Sequence, residues 1–345
     1  MNKDFLKEVL SLPSTSGNEN MVRDYILEFA EKNQILSTVD KKGNVYLTKG
    51  SEKMTSGEYY PCVVSHMDTV HRSHLEYIIN KERLDIVESL YEVDDETSQT
   101  ILTAKLPGTS TQTGIGGDDK CGVYVCLEMF NKFDVLKGAF FVEEEIGMLG
   151  SRQADDNFFS NVGYAIQFDA PSDNWISEVC SGVKLFDQEF KEEITQTLNE
   201  SGYTKFSIDP FTDVNQLATK YDFNCLNLGC GYYRQHTDSE YVVIEEVSNS
   251  LKAGEKLIAK LGLEKYVHNK IVPKSVISER YDKDYYYENL QNVDKYDTLY
   301  GDEEELDEVS ESITELVITM NDQGYDVEDI KDEVAKYLID NSLYV

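Results

Sequence analysis

YPCVVSHMDTV, Tyr60–Val70, is a short apolar run that leads straight into a histidine and an aspartate. A run that brief, without polar alternation, suits a strand buried on both faces, and such strands belong to sheets covered by helices. Asn44–Leu47, Ala139–Val142, Tyr164–Phe168 and Cys225–Leu228 have the same character. Between and around them, apolar residues recur at helical spacing. Phe5, Leu6, Val9 and Leu10 form one face, and Met21, Val22, Tyr25, Ile26 and Phe29 another. Val123–Leu127–Phe130, Phe186–Phe190–Ile194–Leu198 and Ile244–Val247–Leu251–Ile258–Leu261 continue the pattern, the last stopping at Gly262. Strands alternating with amphipathic helices predict an α/β fold: a central mixed, mostly parallel sheet flanked by helices.

In such sheets ligands gather beyond the carboxyl ends of the strands. Tyr60–Ser65 is followed by His66 and Asp68, and the glycine-rich turn Gly114–Gly117 by Asp118 and Asp119. Ala139–Val142 is followed by Glu143, Glu144 and Glu145, and Tyr164–Phe168 by Asp169, while a short loop after Cys225–Leu228 leads to His236. Carboxylates crowded at one sheet edge repel one another and lose hydration. Two divalent cations relieve this, and His/Asp/Glu mixtures suit zinc, with manganese or cobalt as alternatives. Two histidines and three carboxylates, one of them bridging, supply three protein ligands to each of two ions. One further carboxylate is left as a base for water.

Composition narrows the partners. The chain has 345 residues with 65 acids against 32 bases, a formal charge of −33. That balance disfavours nucleic acid and anionic membranes, which both attract positive charge. No run reaches the roughly 20 apolar residues of a membrane span. Cys62, Cys121, Cys126, Cys180, Cys225 and Cys230 are scattered without CxxC pairs, as buried thiols of a reducing cytoplasm would be.

The residues at these strand ends resemble the co-catalytic dizinc exopeptidases, a group that includes peptidase T, carboxypeptidase G-like enzymes and zinc aminopeptidases. The matching segments are SHMDTV (Ser65–Val70), GGDDKCG (Gly116–Gly122), EEIG (Glu144–Gly147), FDAP (Phe168–Pro171) and HTDSEYV (His236–Val242), with SLPSTSGNE as a similar opening segment. Peptidase T is the nearest by motif. The resemblance implies metal ligation by His66, Asp118, Glu145, Asp169 and His236, with Asp118 bridging. It implies catalytic roles for Glu144, as the general base, and for Asp68, behind the His66 imidazole. It also implies a cis peptide between Asp118 and Asp119 and a short peptide as substrate.

One departure stands out. Peptidase T carries an inserted lid or dimerisation domain between the equivalents of Asp169 and His236, and only 66 residues separate them here. The lid is therefore expected to be missing, along with the oxyanion-binding histidine it supplies. Tyr232 or Tyr233 is a candidate replacement donor, and Arg234 a candidate clamp for a substrate carboxylate. His71 and His74 are expected as a loop pair near the cleft rim, and Asp213 as a support for the site.

These readings divide the chain into a catalytic domain over 1–265, an acidic tyrosine-rich linker over 266–300 and an acidic helical hairpin over 301–345. Residues 71–112 form an insertion in the first of these, with β-hairpin alternation at Ile86–Val93 and Thr100–Lys105. Residues 266–345 hold 21 acids, 7 bases and ten of the 23 tyrosines. Leu306, Val309, Ile313, Leu316 and Met320, then Val327, Ile330, Val334 and Leu338, mark the two helices. Those helices, or the insertion, are the expected surfaces for a second copy or a partner protein. The expected activity is that of an aminopeptidase, with a carboxypeptidase or N-acyl amino-acid amidohydrolase as the enzymatic alternative. The alternative of another class is a non-catalytic scaffold on the same fold.

Overall fold

The computed structural model describes residues 1–92, 98–209 and 211–269. The expected linker beyond Asn269, the helical hairpin over 301–345 and the turn 93–97 lie outside the described residues. Each of the five apolar runs is a strand: Val45–Lys49, Tyr60–His66, Leu136–Phe141, Val162–Ala170 and Asn224–Gly229. The last four are neighbours and run parallel, in the spatial order Leu136–Phe141, Tyr60–His66, Val162–Ala170, Asn224–Gly229. Register places His66 beside Phe141 and Val64 beside Gln167, so these strands end at one level. Antiparallel strands extend the sheet on both sides: Val45–Lys49 and Leu36–Val39 on one, Trp175–Cys180 and Val183–Lys184 on the other. Lys205–Asp209 adds a parallel edge to Trp175–Cys180.

The helix Gly117–Lys132 packs on the inner strands, and Val123, Tyr124, Val125, Cys126, Leu127, Met129 and Phe130 are all buried. Burying so many consecutive apolar side chains is what covering a central sheet requires of a helix. Ile244–Leu261 packs beside it and ends at Gly262, whose φ of 63° suits glycine. Past Lys265 the chain stays attached: Tyr266 N–H donates to Gly163 O, and His268 N–H to Asp222 O.

The alternating segments of the insertion pair antiparallel as Asp85–Glu92 and Ser98–Lys105. They belong to a second sheet. Ser98–Lys105 also pairs with Tyr241–Val243, which pairs in turn with Tyr232–Tyr233. The insertion is therefore bound, through backbone hydrogen bonds, to the segment that follows His236, and through that segment to the one before it. Among the described residues no helix is long and apolar enough to cross a membrane.

Candidate metal centre

His66 closes the buried strand Tyr60–His66 with its side chain only 1% exposed. Its ring Nδ1 lies 3.0 Å from the Asp68 carbonyl oxygen and 3.4 Å from Asp68 Oδ1. Both partners can only accept, so Nδ1 carries a proton and Nε2 is the ring nitrogen that faces the cleft. Asp68 does more than face the imidazole. Oδ1 accepts from Glu144 N–H at 2.9 Å, and Oδ2 accepts from Glu145 N–H at 3.2 Å and Ser16 Oγ at 2.8 Å. One carboxylate thus fixes the histidine, the backbone of both glutamates and the opening SLPSTSGNE segment.

Asp118 lies at the start of the Gly117–Lys132 helix with non-helical torsions, and its peptide to Asp119 is cis. Its two oxygens face different histidines. Oδ1 is 3.1 Å from His66 Nε2, and Oδ2 is 3.3 Å from His236 Nε2. Asp169 Oδ1 lies 3.5 Å from His66 Nε2, and Glu145 Oε2 lies 3.1 Å from His236 Nε2. Two sets of three donors share one carboxylate: His66, Asp118, Asp169 and His236, Asp118, Glu145. Glu145 Oε1 is buried with no hydrogen-bond partner.

The charges conflict strongly in this small volume. Burial raises the carboxyl pKa of Asp169 well above the ordinary range, and neighbouring Asp118 adds to the shift. Burial does the same for Glu144, opposed by His66 and reinforced by Asp169, and it also raises Glu145. Burial disfavours a charged ring at both histidines, but the surrounding carboxylates prevail. They hold His66 well above its usual value and His236 at about 11. Asp118 is itself pulled down, against burial, by the same two rings. The imidazolium rings stand in for positive charge that the carboxylates require.

Of the other acids near the cluster, Asp119 and Glu143 are already engaged. Asp119 also lies within 4.8 Å of the His66 and Asp169 donor atoms. Its oxygens, however, accept from Ser65 Oγ at 2.6 Å and from the N–H groups of His66 and Gly122, each at 3.2 Å. Glu143 is paired with Lys42. Asp213 is completely buried, and burial pushes its carboxyl up to about 7. Glu144 makes no side-chain hydrogen bond among the described residues, so its carboxylate is available to a water or a substrate.

The remaining candidates are placed as follows. Tyr232 is buried and its hydroxyl donates to Asp169 Oδ1 at 3.4 Å. Tyr233 donates to Glu246 at 2.7 Å and stacks on Tyr241. Each hydroxyl proton is therefore already directed at a carboxylate. Arg234 is exposed, two residues before His236. His71 and His74, expected at the rim, are buried instead, because the second sheet and the Gly114 turn cover them. Sequence reasoning missed Gln167 and Asn227, which hold Asp169. Gln167 Nε2 donates to Asp169 Oδ2 at 3.1 Å, and Asn227 bonds the Asp169 N–H and carbonyl at 2.9 and 2.7 Å. Polar residues inside apolar strands were the available signal.

No family model and no curated protein matches the sequence. Solved structures do match in fold. Aminopeptidase PepT from Bacillus cereus is 14% identical and aligns over 75% of this chain and 97% of its own, with a TM-score of 0.55. An aminopeptidase from the archaeon Desulfurococcus kamchatkensis is 17% identical over 79% of this chain and 98% of its own, at 0.53. The Pyrococcus horikoshii TET1 peptidase, which assembles into a tetrahedron or a large octahedral shell, is 15% identical over 74% and 98%, at 0.52. The chain has the α/β fold that these proteins share.

Proposed function

We propose that this chain is a two-metal hydrolase of amide bonds in short peptides, acting as an aminopeptidase. The observation that carries the reading is the pair of three-donor sets joined by Asp118. Their histidine-to-carboxylate separations run from 3.1 to 3.5 Å. Donors held about 2.0–2.1 Å from a tetrahedral ion are about 3.3–3.4 Å apart, so these histidine–carboxylate pairs stand at the spacing of metal ligands. The unpartnered Glu145 Oε1 and the mutually raised carboxyls fit the same conclusion. Zinc suits the nitrogen and oxygen donors, with manganese or cobalt as alternatives.

His66, Asp118 and Asp169 would hold one ion, and His236, Asp118 and Glu145 the other. When bound, the pair supplies Lewis acidity toward a carbonyl and lowers the pKa of water. Glu144 takes a proton from the attacking water on its free carboxylate and returns it to the departing amine. Asp68 keeps the His66 tautomer fixed and holds the Glu144 backbone in place. Arg234 remains the candidate clamp for a substrate carboxylate.

The test pairs metal content with turnover. The parent should retain two ions per chain and release the amino-terminal residue of a short free peptide. Glu144→Gln should keep both ions and lose about 10²–10⁴-fold in kcat. Full activity in that variant places the base elsewhere. A parent that binds fewer than two ions removes the reading altogether.

A further inference from the structure

Glu240 lies four residues after His236 and is completely buried. Its carboxylate reaches back to the turn that delivers Asp118. Oε2 accepts from Gly116 N–H at 2.7 Å, and Oε1 accepts from Asp118 N–H at 3.1 Å. Oε2 also lies 2.9 Å from His71 Nε2. The His71 ring packs so closely on Gly114 that a Cβ there would clash with it. These contacts join three separate segments: the chain after Asp68, the turn before Asp118 and the loop that carries His236.

That loop's other hydrogen bonds are mostly internal, such as Thr237 Oγ1 to Arg234 O at 2.7 Å and Glu240 N–H to Thr237 O at 3.2 Å. His236 has a φ of 64° and a side chain 46% exposed. Apart from the His236–Asp118 pair itself, Glu240 supplies every hydrogen bond between residues 234–240 and the 114–118 turn among the described residues. We infer that Glu240, supported by His71, is a positioning residue for the second donor set: it fixes the spacing between His236 and the shared Asp118 carboxylate. A carboxylate is required, because all three groups facing it donate. The insertion thereby takes part in the centre through His71. This inference rests on the two-ion reading above.

Metal titration of the full-length chain tests it without reference to activity. Zinc binding is followed by calorimetry and cobalt(II) binding by its visible absorption, with His236→Ala as the reference for loss of the second step. Glu240→Gln places an NH₂ against a donor while preserving shape. It should keep the first step within about twofold and weaken the second about 10–100-fold. His71→Leu should do the same, and His71→Gln, which restores a donor to Glu240, should recover the second step to within a few-fold of the parent. Two unchanged steps in a natively folded Glu240→Gln overturn the inference, and so does equal weakening of both. If Glu240→Gln fails to fold, the His71→Leu and His71→Gln pair decides on the same criteria. A parent that takes up one ion or none overturns the two-ion reading itself, together with this inference.

Discussion

The two halves of the centre are built differently. His66 and Asp169 terminate inner strands of the main sheet, with side chains 1% and 8% exposed, and each is held by further buried partners. His236 sits in a connection between two short strands of the second sheet and is 46% exposed. The first half is built into the core of the main sheet. The second is carried by a loop that is held to the Asp118 turn through Glu240. The proposed centre therefore joins a buried side to a more exposed one.

The largest expected effect comes from the residue the halves share. Asp118→Asn should abolish retention of both ions and reduce turnover by at least about a thousandfold, or about 4 kcal/mol of transition-state stabilisation. Metal analysis after dialysis, beside peptide hydrolysis, measures both. Next, His236→Ala should lose one ion and retain the other, while His66→Ala should also lower the unfolding midpoint in urea because its position is buried. Equal behaviour of the two variants would erase the contrast between the halves. Gln167→Leu removes the donor to Asp169 Oδ2 and should weaken the first ion about 10–100-fold while sparing the second. That pattern is the mirror image of the one expected from Glu240→Gln.

Smaller effects concern charge. A free peptide amine should be favoured over its N-acetylated twin by at most about tenfold in kcat/KM, or about 1.4 kcal/mol. Glu143 is paired with Lys42, while Asp119 and Glu240 are buried against hydrogen-bond donors, which keeps the expected preference modest. Faster cleavage of the acetylated peptide would favour the amidohydrolase or carboxypeptidase alternative. Beneath the second half lies His74, whose imidazole pKa burial pushes down to about 2. The folded state refuses a proton that the unfolded chain accepts below about pH 6.5, so stability falls as pH drops below that value. In urea unfolding, the parent should lose of order 1 kcal/mol more than His74→Gln between pH 6.5 and 5. Parallel losses in both proteins would clear His74 of that role.

Legibility in the sequence followed the same division. The inner strands announced themselves because burial on both faces demands unbroken apolar residues, and the ionisable groups at their ends then stood out. The edge strands Leu36–Val39 and Lys205–Asp209 carry half-exposed, mixed residues and left no such mark. The insertion read as a hairpin from its alternation, but its pairing with Tyr241–Val243 joins residues about 140 positions apart, and no local pattern encodes that. Glu240 carries no local sign of its partner, and His71 read as a rim histidine, for the same reason. Each takes its meaning from a partner 169 residues distant.

Those separations also set when the protein becomes complete during its own synthesis. His66 meets Asp118 across 52 positions, and Glu240 meets Asp118 across 122. His66, Asp118 and Asp169 all precede Asn224–Gly229, the inner strand that pairs beside Asp169, and His236 follows it by only a few residues. Completing the second sheet requires Tyr241–Val243 to reach back and add to Ser98–Lys105. Contacts of such range form late in folding. A growing chain therefore holds His66, Asp118 and Asp169 well before it can bring His236 beside Asp118.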